Sequence, residues 1–204
     1  MSIPVNLATE DELSETVLRR LLDHADRGYA IGTAYSRRGF GYLRRTITGW
    51  NRAAQYRPII VLTDLDRRPC ATALIEDWLR EARNPNLLLR VAVREVEAWL
   101  LADRSNFARY LRVSEKWIPI DPDGLQDPKA ILLDVARRSR SEDVRDRIVP
   151  KRTSTAKQGR DYNSCLAEFV QTDWSIEYAA AQSASLRRTV ARLGSFTPVW
   201  PAPG

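Results

Sequence analysis

Between residues 3 and 101 the chain alternates short unbroken apolar runs with longer stretches whose apolar positions recur every three or four residues. Ile3 to Ala8 is a short apolar run, and Glu10 to Asp26 follows with Leu13, Val17, Leu18, Leu21 and Leu22 at helical spacing. Tyr29 to Ala34 is a weak second strand or a loop, and the basic turn Ser36 to Gly41 leads into a predicted helix over Tyr42 to Tyr56. Pro58-Ile-Ile-Val-Leu-Thr63 is the strongest strand signal, being continuous, β-branched and bounded by Pro58 and Asp64. A helix over Ala71 to Ala82 precedes a second buried-type strand, Leu87 to Val93, and Glu95 to Leu101 begins helically.

Runs without alternation imply strands buried on both faces, and helices between them imply parallel pairing. The expectation for residues 1–103 is an α/β domain: an open, parallel, Rossmann-like sheet of about four strands with flanking helices. Residues 104–204 show helical stretches at Ala130 to Arg138, Tyr162 to Thr172 and Ser183 to Leu193, joined by polar loops at 119–128 and 149–161. This half reads as a mainly helical C-terminal extension packed on the sheet, with a tail from Trp200 that docks or frays.

Composition narrows the chemistry. Two cysteines, Cys70 and Cys165, without CxxC or Cys/His spacing, argue against structural zinc and read as buried thiols. His24 is the only histidine, so no mechanism needing two is open. No apolar run approaches the roughly 20 residues that span a membrane, and the N-terminus does not resemble a signal peptide, so a cytoplasmic location is expected. A net charge of +6 favours polyanionic partners, nucleic acid first.

The carboxylates are concentrated. Glu10-Asp-Glu12 follows the first strand, Asp64-Leu-Asp66 the third, and Glu95-Val-Glu97 the fourth. Ligands of open α/β sheets bind beyond the carboxyl ends of the strands. If those ends are neighbours, the carboxylates converge, and convergence without a compensating cation is costly. Oxygen-rich ligand sets of this kind suit Mg²⁺ or Mn²⁺. Arg37, Arg38, Arg44, Arg67 and Arg68 are candidates to receive phosphates. Each cluster also has a plain structural reading. Asp64 can cap the next helix, Glu10 to Glu12 can complement a helix dipole, and Glu95 and Glu97 can form a solvated face paired with Arg90 or Arg94.

An apolar strand ending in Glu, then a helix, then an apolar strand ending in Asp-x-Asp resembles the Toprim domain. That domain is shared by type IA and type II topoisomerases, bacterial primases, OLD-family nucleases and RecR-type repair proteins. Here the pattern is Val5 to Glu10 and Ile59 to Asp66. With Arg94-Glu-Val-Glu-Ala-Trp-Leu100 and Lys157-Gln-Gly-Arg-Asp-Tyr-Asn163, it more closely resembles small stand-alone Toprim-like proteins of uncharacterised families associated with mobile elements or phage defence. The resemblance implies Glu10 as general acid or base and Asp64 and Asp66 as metal ligands. It further implies Glu15 as a second acidic position on the first helix, with Glu97 able to help hold a second ion. Toprim sequences place glycine after the glutamate; here Asp11 stands there, which leaves Glu10 and Glu12 as alternatives.

The expected function is metal-dependent phosphodiester hydrolysis of nucleic acid by a nuclease of the Toprim type, a candidate effector of a defence system. Arg37, Arg38, Arg44, Arg67 and Lys157 would hold the backbone. No GxxxxGK[ST] loop occurs, so an ATPase partner would be encoded separately. The alternatives are a non-catalytic Toprim-like module that binds nucleic acid or a partner and, behind it, a glycosyltransferase using Asp64 and Asp66 as its DxD.

Overall fold

The computed structural model describes residues 2–36, 38–151 and 153–200. Four strands, β1 (Ile3–Thr9), β2 (Tyr29–Tyr35), β3 (Ile59–Asp64) and β4 (Leu87–Ala92), form one sheet in the order β2-β1-β3-β4. Every pairing is parallel. The unbroken apolar runs therefore belong to strands covered on both faces. In β3, Ile60 and Leu62 enter one core while Ile59 and Val61 enter the other.

Three helices make the crossovers: α1 (Glu12–His24), α2 (Gly39–Ala53) and α3 (Ala71–Trp78). The chain steps from β1 to β2 in one direction and from β2 past β1 to β3 in the other. Crossovers of one hand then place α1 on one face and α2 on the opposite face. The two cores show this arrangement: Leu13, Val17, Leu18 and Leu21 of α1 pack in the first, and Leu43, Ile47 and Trp50 of α2 in the second. The reversal of direction opens a crevice between β1 and β3 at their carboxyl ends, the usual ligand position of such sheets.

The expected helix over 71–82 stops at Trp78. Leu79 is extended and buried, and Asn51 of α2 holds the following segment by bonding the carbonyl of Ala82 and the amide of Asn84. Helix α2 begins at Gly39, three residues before the pattern suggests. Gly39 is at φ +69°, and its amide donates to the carbonyl of Glu10.

Beyond β4 the chain is helical: α4 (Val96–Ala102), α5 (Arg104–Leu111), α6 (Pro128–Ala136), α7 (Glu142–Ile148), α8 (Tyr162–Thr172), α9 (Ile176–Gln182) and α10 (Ala184–Ser195), with a 3-10 turn at Glu115–Trp117. These helices share the first core with α1: Phe107, Leu132, Tyr162, Phe169, Leu186 and Phe196 are fully buried in it. Trp78 and Trp99 are core residues, as their helical positions suggest. The segment before the tail docks at the far end of the sheet, where Val199 and Asn86 exchange two hydrogen bonds of 2.8 Å; of the tail from Trp200, residues 201–204 lie outside the described residues. Among the described residues no helix is long and apolar enough to cross a membrane.

Candidate functional site

Parallel strands end together, so the residues that follow β1, β3 and β4 meet at one edge of the sheet. Glu10 turns its side chain towards the neighbouring strand. Its Oε1 accepts the Thr63 hydroxyl at 2.5 Å and the Asp64 amide at 2.9 Å. Glu12 instead stands exposed at the first position of α1. Asp11, between them, is the N-cap of α1 and accepts the Ser14 amide at 2.8 Å.

Asp64 is the last residue of β3. Its Oδ1 accepts the amide of Val96, the first residue of α4, at 3.0 Å. The capping role open to Asp64 is therefore real, although the helix it caps follows the adjacent strand. Two residues on, Asp66 has φ +51°, a left-handed conformation that aspartate tolerates better than most side chains. The loop is fastened to the end of β4. The amides of Leu65 and Asp66 donate to the carbonyl of Arg94 at 2.9 and 3.0 Å, and the Arg94 guanidinium donates to the carbonyls of Asp66 and Arg68 at 3.1 and 2.7 Å.

Glu95 and Glu97 do not form the solvated face that salt bridges to Arg90 or Arg94 would give. Arg94 is committed to the carbonyls just described, and Arg90 reaches Thr189 of α10. Glu97 is 5% exposed. Its Oε1 accepts the Tyr162 hydroxyl at 2.9 Å and lies 3.9 Å from the ammonium of Lys129. That ammonium sits 4.7 Å from the centre of the Tyr162 ring. Glu95 accepts the backbone amide of Lys129 at 3.0 Å, in the first turn of α6. The α helices of the second half thus form one wall of the site.

Electrostatics show how crowded the negative charge is. Burial pushes the Asp64 carboxyl well above its ordinary range, and Glu97, Glu10, Asp11 and Glu95 push it further. Burial, with Glu97 the next cause, pushes Glu95 up to about 7. Glu10 is raised by burial, against the Thr63 and Asp64 bonds and with help from Asp66 and Asp11. Glu97 is raised by burial although Lys129 and Tyr162 pull the other way. Asp66 is raised by burial, with Arg67 and Arg68 opposing. Carboxyls shifted upward by one another mark a place where a cation is worth more than on the open surface.

Glu10, Asp64, Asp66, Glu95 and Glu97 are thus brought into one electrostatic unit. Their donors are all oxygen, which fits a hard divalent cation in kind. They are not preassembled: among the described residues no group of three or more His, Cys, Asp or Glu side chains is drawn together as a metal-ligand set. Glu15 pairs with Arg19 at 2.8 Å one turn further along α1.

The candidate phosphate contacts divide. Arg67 and Arg68 line an open depression with Phe40 and Asp66 beside the carboxylates. Arg68 also pairs with Asp77 at 2.9 Å, and Arg44 pairs with the same carboxylate at 3.1 Å. Arg38 lies over the Tyr42 ring at 4.9 Å. Lys157 lines a depression with Asp127 and Lys129 at the flank of the site. Arg37 lies outside the described residues.

Thr63, Lys129 and Tyr162 complete the site without having been marked as members of it. Lys129 is one of only four lysines and sits just after a helix-starting Pro128, but nothing in the chain states which strand end α6 abuts. The cysteine reading needs a correction as well. Cys165 is buried, whereas Cys70 is exposed and caps α3 by accepting the Ala73 amide at 3.4 Å. His24 ends α1 and lies 3.5 Å from Glu177.

The Tyr162–Glu97 bond gives a direct test of the wall. Tyr162→Phe removes the donor from a buried carboxylate and is expected to cost about 1–3 kcal/mol in urea unfolding at pH 8 without divalent ions. The loss should shrink at pH 5, where Glu97 is closer to neutral; an equal loss at both pH values would mean that the bond does not serve the charged form.

Compared with known proteins, the chain matches no family model, no curated protein and no solved structure.

Proposed function

We propose that the protein is a metal-dependent phosphodiesterase acting on nucleic acid, with a site of the Toprim type. The observation that carries this reading is the convergence of Glu10, Asp64, Asp66, Glu95 and Glu97 at the carboxyl edge of a parallel sheet, where burial raises every one of them and neighbouring carboxylates add to the rise of Glu10, Asp64, Glu95 and Glu97.

Asp64 and Asp66 would hold Mg²⁺ or Mn²⁺, with Glu97 able to support a second ion. The ion would neutralise charge on the phosphate oxygens as the diester is cleaved. Glu10 would take the proton of the attacking water, and its raised affinity for protons suits that work near neutral pH. The water oxygen bonds to phosphorus while the bond from phosphorus to the departing sugar oxygen breaks, and that oxygen leaves with a proton. Arg67 and Arg68, beside Asp66, would position the backbone without reading sequence. Two free thiols and the excess of positive charge suit a cytoplasmic protein that meets nucleic acid there. DNA is placed ahead of RNA as substrate, and a role as a defence effector beside a separately encoded ATPase remains part of the proposal.

The non-catalytic alternative keeps the same residues as structural caps, and the Asp64–Val96 bond is the observation in its favour. Calorimetry with MnCl₂ and MgCl₂, followed by incubation of labelled DNA and RNA with either ion, separates the two. Ion uptake with ion-dependent cleavage is expected. Binding of oligonucleotide without ion uptake or cleavage would overturn the hydrolase and leave the binding module.

A further inference from the structure

About 14 Å along α6 from Lys129, at ~1.5 Å per residue, the chain reaches Arg138 just past the end of the helix. There three segments meet. The guanidinium of Arg138 lies 4.1 Å from the centre of the Trp117 ring, and the ammonium of Lys116 lies 5.3 Å from the same ring. The amide of Arg140 donates to the carbonyl of Arg112 at 3.3 Å, bringing the end of α5 into the group. Arg112, Lys116, Arg138 and Arg140 are all exposed, and among the described residues none of them has an ion-pair partner.

Three of the acids nearby in sequence are paired with other arginines, Asp143 among them with Arg147 at 3.9 Å. Glu115 pairs with Arg104 at 3.4 Å, and Asp134 pairs with Arg137. Trp117 itself is 45% exposed, although tryptophan is a residue that a soluble protein usually covers. Its platform is firmly held: Arg104 donates to the carbonyls of Ile118 and Glu115 at 3.1 and 3.3 Å, and Ile118 is buried. Arg112 occupies a left-handed position, φ +52°, which glycine fills with least strain. The result is a fixed, half-exposed indole with two exposed cations at its ring, Lys116 and Arg138, and two more, Arg112 and Arg140, on the adjoining backbone, a surface that attracts an anion.

We infer that Trp117, with Lys116 and Arg138 at its ring and Arg112 and Arg140 on the adjoining backbone, is a stacking platform for single-stranded nucleic acid that leads the strand towards the carboxylate site. An aromatic face offers every unpaired base a partner, and the surrounding cations take its phosphates. A duplex keeps its bases stacked inside and offers such a ring nothing to stack on. The proposal rests on the nucleic-acid substrate proposed above and specifies its strandedness.

The test uses the full chain carrying Asp64→Asn, so that no substrate is cut. Binding of fluorescein-labelled single-stranded DNA and RNA 15-mers, and of a DNA duplex, is followed by anisotropy. Trp117→Ala is expected to weaken binding of at least one single strand by roughly five- to a hundredfold and to leave the duplex nearly unchanged, while Trp117→Phe keeps most of the affinity. Arg138→Ala and Lys116→Ala should each reduce the salt slope for the single strand by about 0.7. Unchanged single-strand affinity in Trp117→Ala, or equal losses for strand and duplex, would overturn the platform. Hydrolysis of the small diester bis(p-nitrophenyl) phosphate by the native chain with Mg²⁺ or Mn²⁺ reads the carboxylate site without a bound strand. A native protein that binds strands through Trp117 yet never cleaves this diester with either ion would defeat the hydrolase reading and leave the platform standing.

Discussion

Asp64→Asn is expected to lower Mg²⁺- or Mn²⁺-dependent cleavage about a thousandfold or more while the protein stays folded and becomes no less stable at pH 8. The two effects have one cause. Asp64 is half-buried at the end of β3, with Glu97, Glu10, Asp11 and Glu95 all acting against its charge. Asparagine has nearly the same shape, and its side-chain oxygen can still accept the Val96 amide that Asp64 accepts at 3.0 Å. Folding then no longer has to keep a half-buried negative charge among like charges. What is lost is a negative oxygen for the ion. A structural cap would behave differently, since neutralising it would alter neither ion uptake nor cleavage. Measuring unfolding midpoint, Mn²⁺ heat and cleavage on the same preparation decides the matter. Native-level cleavage by the variant would remove Asp64 from the chemistry.

Without divalent ions, the melting temperature is expected to fall as pH rises from about 4.5 to 7. The folded protein holds Glu95 with a pKa of about 7 against an ordinary glutamate value of 4.5, and Asp64 and Glu97 are displaced the same way. A raised carboxyl binds its proton more tightly in the folded state. Its contribution is complete below the unfolded value and is lost as pH climbs through the folded one. The carboxylates shifted downward, Asp77, Glu81 and Glu177, have already made their full contribution above their ordinary values of 3.8 and 4.5, so they do not mask the fall. For a chain of this size each kcal/mol moves the midpoint by about 2–4 °C, well within reach of scanning calorimetry. At pH 8, Mg²⁺ or Mn²⁺ at a hundred times its dissociation constant should restore about 2.7 kcal/mol by binding the folded state alone. Glu95→Gln should flatten the pH dependence. A flat profile in the native protein would show that the carboxylates are better compensated than their surroundings imply.

Much of this architecture is written in the order of residues. The continuous β-branched run Ile59 to Thr63, bounded by Pro58 and Asp64, reads as a strand covered on both faces, and the 3–4 spacing of Leu13 to Leu22 reads as a helix with one buried side. Once such units alternate, parallel pairing and acids at the carboxyl ends of strands follow. The placement of Glu10, Asp64 and Asp66 at the carboxyl ends of strands was therefore legible in the sequence, because they sit immediately after strand signals. The boundary of α3 was not, because Leu79 leaves the helix to fill a core position that local spacing does not reveal.

The sequence alone determined which segments are strands and helices and which strand ends carry carboxylates, since both depend on side chains a few positions apart. Only the tertiary structure decided that β1, β3 and β4 lie side by side and that Glu97 is buried under Tyr162 rather than solvated beside Arg94. It alone decided that Lys129 stands over the acids and that Trp117 is left uncovered among cations. These facts depend on where the helices of the second half pack. That packing is fixed by the shape of a core shared between distant segments, and no local pattern of polar and apolar residues records it.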